Sequence, residues 1–133
     1  MKWLSLTFLF VSLTAHALSG SWSDSSTGGR VSVGNQILVS RPLSAPGDLP
    51  ASAVVTRLAW RIELLSPPPP GLRIKLCTPA ICFPLAGLSG VQQVPIALSA
   101  KNRFRFVYSV ESRGALSPAL QVVSNRLTLN YSM

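Results

Sequence analysis

Residues Val54–Leu65 read VVTRLAWRIELL. Leu58, Trp60, Ile62 and Leu64 alternate with Arg57, Arg61 and Glu63, so apolar and charged side chains fall on opposite faces with a period of two. That is the pattern of a half-buried β-strand, because a helix would repeat its apolar positions every three to four residues. The alternation returns in GLRIKLC (Gly71–Cys77), where Leu72, Ile74 and Leu76 oppose Arg73 and Lys75. It returns again in RFRFVYSV (Arg103–Val110), where Phe104, Phe106, Tyr108 and Val110 oppose Arg103, Arg105 and Ser109. NRLTLNY (Asn125–Tyr131) adds Leu127, Leu129 and Tyr131. Weaker strand candidates are VSVGNQILVS (31–40), FPLAG (83–87), VPIAL (94–98) and ALQVVS (119–124). No window carries a helical stripe, and eleven prolines, all beyond residue 41, disfavour long helices.

Turn-forming clusters separate these runs at short spacing: STGGR, SAPGDLP, SPPPPG, LSG, SAKN and ESRGALSP. Many short strands over one domain length predict an all-β fold, a single antiparallel β-sandwich over residues 18–133, with a small β-barrel as second choice. Four consecutive prolines, Pro67–Pro70, would span roughly 12 Å as polyproline, close to the ~10 Å between packed sheets. SPPPPG is therefore expected to carry the chain around the sandwich edge. Residues 18–30, LSGSWSDSSTGGR, are rich in Ser and Gly and are expected to be partly mobile, with Trp22 either tucked in as an anchor or offered as a binding surface.

The chain opens MKWLSLTFLFVSLTAHALSG (1–20), with Lys2, an apolar run over Trp3–Leu13 and a small-x-small site at Ala15-His16-Ala17. This reads as a secretory signal peptide, residues 1–17, cleaved after Ala17. A spanning anchor would need roughly 20 apolar residues, so no transmembrane anchor is expected and the exported domain should be soluble. Removing residues 1–17 takes away His16, the sole histidine, and leaves 116 residues with eleven Lys/Arg against Asp24, Asp48, Glu63 and Glu111, a formal net charge of +7.

Export also decides the chemistry of Cys77 and Cys82, the only cysteines. Zinc takes four ligands, usually Cys or His, and two thiols without an imidazole do not supply them. A redox pair uses Cys-x-x-Cys at a helix N-terminus, whereas these two have four residues between them and are flanked by strands. In an oxidising compartment the pair should form a disulfide. Thr78-Pro79-Ala80-Ile81 makes a hairpin loop that sets the cysteines face to face. No enzyme is expected: Ser/His/Asp chemistry lacks its histidine, and the four scattered carboxylates lack the set separation of a glycosidase pair. No cofactor or metal is implied.

LAWRIEL (58–64), PPPPGLRIKLC (67–77) with a second cysteine five residues on, RFVYSV (105–110) and SPALQVVSNRLTLNY (117–131) together resemble the FlhE flagellar protein family of enterobacteria. Length, signal peptide and cysteine pair agree, and the resemblance covers most of the chain from Ser52 onward. It implies a periplasmic accessory protein, outside the filament, that regulates flagellar assembly or export and limits proton leak through the export apparatus. The implied partner is a basal-body or export-apparatus protein. No ligand residues come with the resemblance.

The residues themselves add one candidate surface. Arg57, Arg61, Arg73, Lys75, Arg103 and Arg105 all take outward positions, and if their strands are neighbours they form one basic face for an acidic partner surface. The bland reading is a solvated face that blunts edge-to-edge pairing. Nucleic acid would suit the charge, but export removes the protein from it. The alternative function is a periplasmic glycan- or peptidoglycan-binding module using Trp22 and Tyr131 as exposed stacking platforms.

Overall fold

The computed structural model describes residues 19–94 and 96–133. The expected signal peptide and its cleavage after Ala17 lie outside the described residues. Among them the chain forms strands only: β1 (Ser19–Thr27), β2 (Arg30–Val33), β3 (Leu38–Val39), β4 (Val54–Leu64), β5 (Leu72–Cys77), β6 (Cys82–Leu85), β7 (Ser89–Gln93), β8 (Arg105–Val110) and β9 (Ala115–Ser132). They build two open antiparallel sheets packed as a sandwich, and no barrel closes. The first sheet runs β1–β9–β4–β7, with β2 also on β9; the second runs β3–β8–β5–β6. Among the described residues no helix is long and apolar enough to cross a membrane.

The period-two reading of the strong strands holds at the level of individual side chains. Leu58, Trp60 and Ile62 of β4, Ile74 and Leu76 of β5, Phe106, Tyr108 and Val110 of β8, and Leu127 and Leu129 of β9 are all buried between the sheets. Thr56 is an extra residue on β4: Val55 pairs with Tyr131 and Arg57 with Asn130, so a bulge resets the alternation. The polyproline segment joins β4 in the first sheet to β5 in the second, as a stiff connector should. It ends in a turn in which the Leu72 amide donates to the Pro69 carbonyl and Gly71 has φ +83°. A positive φ after proline is the type II geometry that glycine adopts without a side-chain clash.

Three expectations change. Residues 18–30, expected to be partly mobile, carry the nine-residue strand β1, which pairs with β9 from Ser19↔Ser132 to Thr27↔Ser124. Its serines hid it, because only Trp22 and Ser26 are buried and no apolar alternation shows. VPIAL forms no strand over its described residues; LSGVQQ, read as opening with a turn, supplies β7 instead. ESRGALSP was read as a turn through Pro118, yet β9 starts at Ala115.

β9 is the hub. One edge takes β1 and then β2, the other takes β4. Near Val123 its register shifts against β4, between Glu63↔Ser124 and Leu64↔Val122. Opposite the same point, Gly28 and Gly29 interrupt the β1–β2 edge, and the Gly28 amide donates to the Val123 carbonyl. A side chain on Gly28 would collide with the Val122 carbonyl oxygen, so the close approach requires glycine.

Candidate functional site

The outward face of the second sheet is laid out by register. Val39 of β3, Val107 of β8, Lys75 of β5 and Pro84 of β6 form one row across all four strands. On one side of that row lies Arg105, paired with Cys77; on the other lies Arg73, paired with Ser109. Cys77 and Cys82 are in register and joined by a disulfide, and no free cysteine is found among the described residues. The hairpin loop is closed by the Thr78 amide donating to the Ile81 carbonyl at 2.7 Å, while the Thr78 hydroxyl accepts from the amides of Ala80 and Ile81. Beside it, Arg103 and Arg105 flank a groove of about 360 Å³ floored by Cys77, Thr78 and Pro79. Arg73 makes an ion pair with Glu111 at 2.9 Å, with both side chains about 60% exposed. Solvent screening leaves such a pair little stabilising value.

The outward face of the first sheet carries Arg57 and Arg61 of β4. Arg61 lies directly across from Arg126 of β9, and Arg126 in turn across from Ser25 of β1. Like charges opposite each other on antiparallel strands repel, and neither arginine has a carboxylate within ion-pair distance among the described residues. Arg126 was missed in the sequence because NRLTLNY was read for its apolar face alone. The six cations therefore do not share one surface. Arg57 and Arg61 face away from the first sheet; Arg73, Lys75, Arg103 and Arg105 lie on the second, across the core. Alternation along a strand tells inside from outside, but it does not tell which of two sheets a strand joins.

Two of the four described acids have local partners. Asp24 accepts from the amides of Ser25 and Ser44, which ties β1 to the segment after β3, and Glu111 holds Arg73. No group of three or more His, Cys, Asp or Glu is placed to hold a metal among the described residues. The interior holds one polar chain: the Tyr108 hydroxyl hydrogen-bonds Asn125 Oδ1, and Asn125 Nδ2 donates to Ser26 Oγ at 3.2 Å. It crosses from the second sheet to the first. Burial pushes the Tyr108 phenol pKa well above its ordinary value, because the phenolate would be stranded away from water.

With this geometry established, comparison with known proteins is informative. The profile of the family described as Flagellar protein FlhE matches residues 28–132. The chain belongs to the FlhE family. Among relatives, Flagellar protein FlhE of Salmonella typhimurium strain LT2 is 41% identical over 130 residues, covering 98% of each chain. That of Escherichia coli K12 is 36% identical over 131 residues, covering 98% of this chain and 99% of the other, and that of Yersinia enterocolitica is 35% identical over 114 residues, covering 85% and 81%. A solved structure titled Crystal Structure of FLHE superposes with a TM-score of 0.80 at 39% identity, covering 86% of this chain and 98% of that one.

The FlhE profile begins at Gly28, just after β1. The aromatic platform that glycan binding would need is withheld. Trp22 is 5% exposed, its indole nitrogen donates to the Ala100 carbonyl at 3.2 Å, and its ring lies 5.9 Å from that of Phe104. Tyr131 is partly buried and packs its ring against Gly20.

Proposed function

We propose that this chain is a periplasmic accessory protein of the flagellar system. It acts by binding a component of the basal body or export apparatus, and so regulates assembly or export and limits proton leak through that apparatus. The observation that carries this reading is the FlhE family match over residues 28–132. The joined Cys77 and Cys82 agree with an exported location, since an oxidising compartment preserves such a bond. The site chemistry agrees with binding: Asp24 is engaged with backbone amides and Glu111 with Arg73, while Lys75, Arg103 and Arg105 on the outward face of the second sheet have no carboxylate partner among the described residues.

The test is a strain lacking the protein, carrying a pH-sensitive fluorescent reporter in the cytoplasm. In acidic medium during flagellar assembly, the cytoplasm of that strain should acidify faster than the parent's. The full chain should restore the parent rate, and a chain without residues 1–17 should not. Unchanged cytoplasmic pH together with unchanged flagellar number would overturn the proposal.

A further inference from the structure

The outward row of the second sheet is half apolar and uncovered. Val39 is 48% exposed, and Ile37, just ahead of β3, is 65% exposed. Val107 and Pro84 continue the row, with Lys75 between them. Arg105 and Arg103 flank it at the disulfide end and Arg73 at the other. Of the four cations only Arg73 has a carboxylate partner among the described residues. A flat apolar stripe rimmed by unpaired charge of one sign has the anatomy of a protein interface, with a desolvated centre and a charged rim.

We propose that the outer face of the β3–β8–β5–β6 sheet docks an acidic segment of a partner protein, one that places carboxylates opposite Lys75, Arg103 and Arg105 and small apolar side chains on Val39, Val107 and Pro84. This deepens the binding role proposed above and rests on it. Charge complementarity selects the occupant. A second copy related by a two-fold axis would set this face on itself, cation against cation. A bilayer surface is recognised by several Trp, Phe or Leu side chains that reach into the acyl boundary; here the row itself holds two valines and a proline, and beside it stands one longer apolar side chain, Ile37, with no aromatic to anchor it. The first sheet offers less: its arginines stand in the polar rows Ser21–Asn130–Arg57–Gln93 and Ser25–Arg126–Arg61–Ser89, and the row between them, Ser23–Thr128–Ala59–Val91, exposes a single large apolar side chain, Val91.

The experiment uses 15N-labelled protein purified from the periplasm and a synthetic peptide of alternating Glu and Val as probe. Amide shifts should cluster at Val39, Lys75, Arg105 and Val107. Reversing Lys75→Glu with Arg105→Glu should weaken the peptide by about tenfold or more, while Arg57→Glu with Arg61→Glu, an equal change in net charge, should weaken it less than about twofold. All four side chains are exposed, so both double variants should keep the parent's melting temperature. If the first pair misfolds, Lys75→Gln with Arg105→Gln gives the same comparison. Equal weakening by both pairs would reduce the effect to net charge and overturn the proposal, as would shifts centred on the first sheet or no binding at all. Vesicles of phosphatidylglycerol that shift the same amides more strongly than the peptide would assign the face to lipid and overturn it too. In cells, the Lys75/Arg105 reversal should fail to restore the strain lacking the protein, and the Arg57/Arg61 reversal should succeed. A strain with no flagellar or pH phenotype would sink the flagellar reading alone, since the peptide map is judged on its own.

Discussion

Tyr108 and Asn125 are residues on which a small change has a measurable consequence. Both are fully buried, and together with Ser26 they make the polar chain across an otherwise apolar core. Tyr108→Phe removes the hydroxyl and leaves the Asn125 carbonyl oxygen without its donor. An orphaned buried acceptor costs about 1–3 kcal/mol, so chemical denaturation should show a loss of that size with no change in the slope. The same burial has a pH signature. Below the ordinary phenol pKa near 10, native and unfolded chains both keep the proton and Tyr108 adds no pH dependence. Above it the unfolded chain releases a proton that the native chain retains, so stability falls as pH rises. In an absorbance titration of the folded protein, Tyr108 should not ionise until the chain unfolds.

Two elements depend on local geometry that can be tested separately. The β5–β6 hairpin is closed by a disulfide over a four-residue loop, and so short a loop removes little entropy from the unfolded chain. Replacing Cys77 and Cys82 together by Ser should lower stability by only about 2 kcal/mol and leave the protein folded. Protein from the periplasm should show no free thiol with a thiol reagent under denaturing conditions. The register shift of β9 near Val123 is the second case. Gly28→Ala sets a methyl group against the Val122 carbonyl oxygen, a backbone atom that cannot swing aside. Overpacking of that kind costs about 1–3 kcal/mol, visible as a lowered melting temperature. Gly47→Ala is the control: nothing lies near its added carbon, and it should be neutral.

At the scale of the molecule, β1 closes the first sheet and Trp22 is its only large side chain in the core. The indole bonds to Ala100 and packs on Phe104, so it ties the N-terminal strand to the segment leading into β8. Trp22→Ala should cost about 3–5 kcal/mol, a large part of the 5–15 kcal/mol typical of a whole domain. Limited proteolysis should then cut first around residues 19–27. An unchanged cleavage pattern would mean that β1 is held by its ladder with β9 alone. The charge is also a property of the whole: cations sit on both outer faces, so a reversal that combines Arg61 with Lys75 and Arg105 disturbs two surfaces at once. Reversals confined to one sheet are needed to read either.

The sequence by itself determined that this is an all-β protein, which residues of its strong strands face inward, and that the prolines after Leu65 lead from one strand to another. Those properties are local: alternation with period two, the fixed φ of proline and the short reach of a four-residue hairpin act within a few residues of chain. Only the tertiary structure decided the assignment of strands to sheets, and with it the division of the six expected cations into two and four. It also decided the strand at Ser19–Thr27, which no apolar pattern announces, because its formation depends on the open edge of β9 more than a hundred residues away. The pairing of Arg126 with Arg61 and the row Val39–Val107–Lys75–Pro84 were illegible for the same reason. Each neighbour relation there is set by inter-strand hydrogen bonds between distant segments, and nothing in the local pattern of either strand specifies its partner.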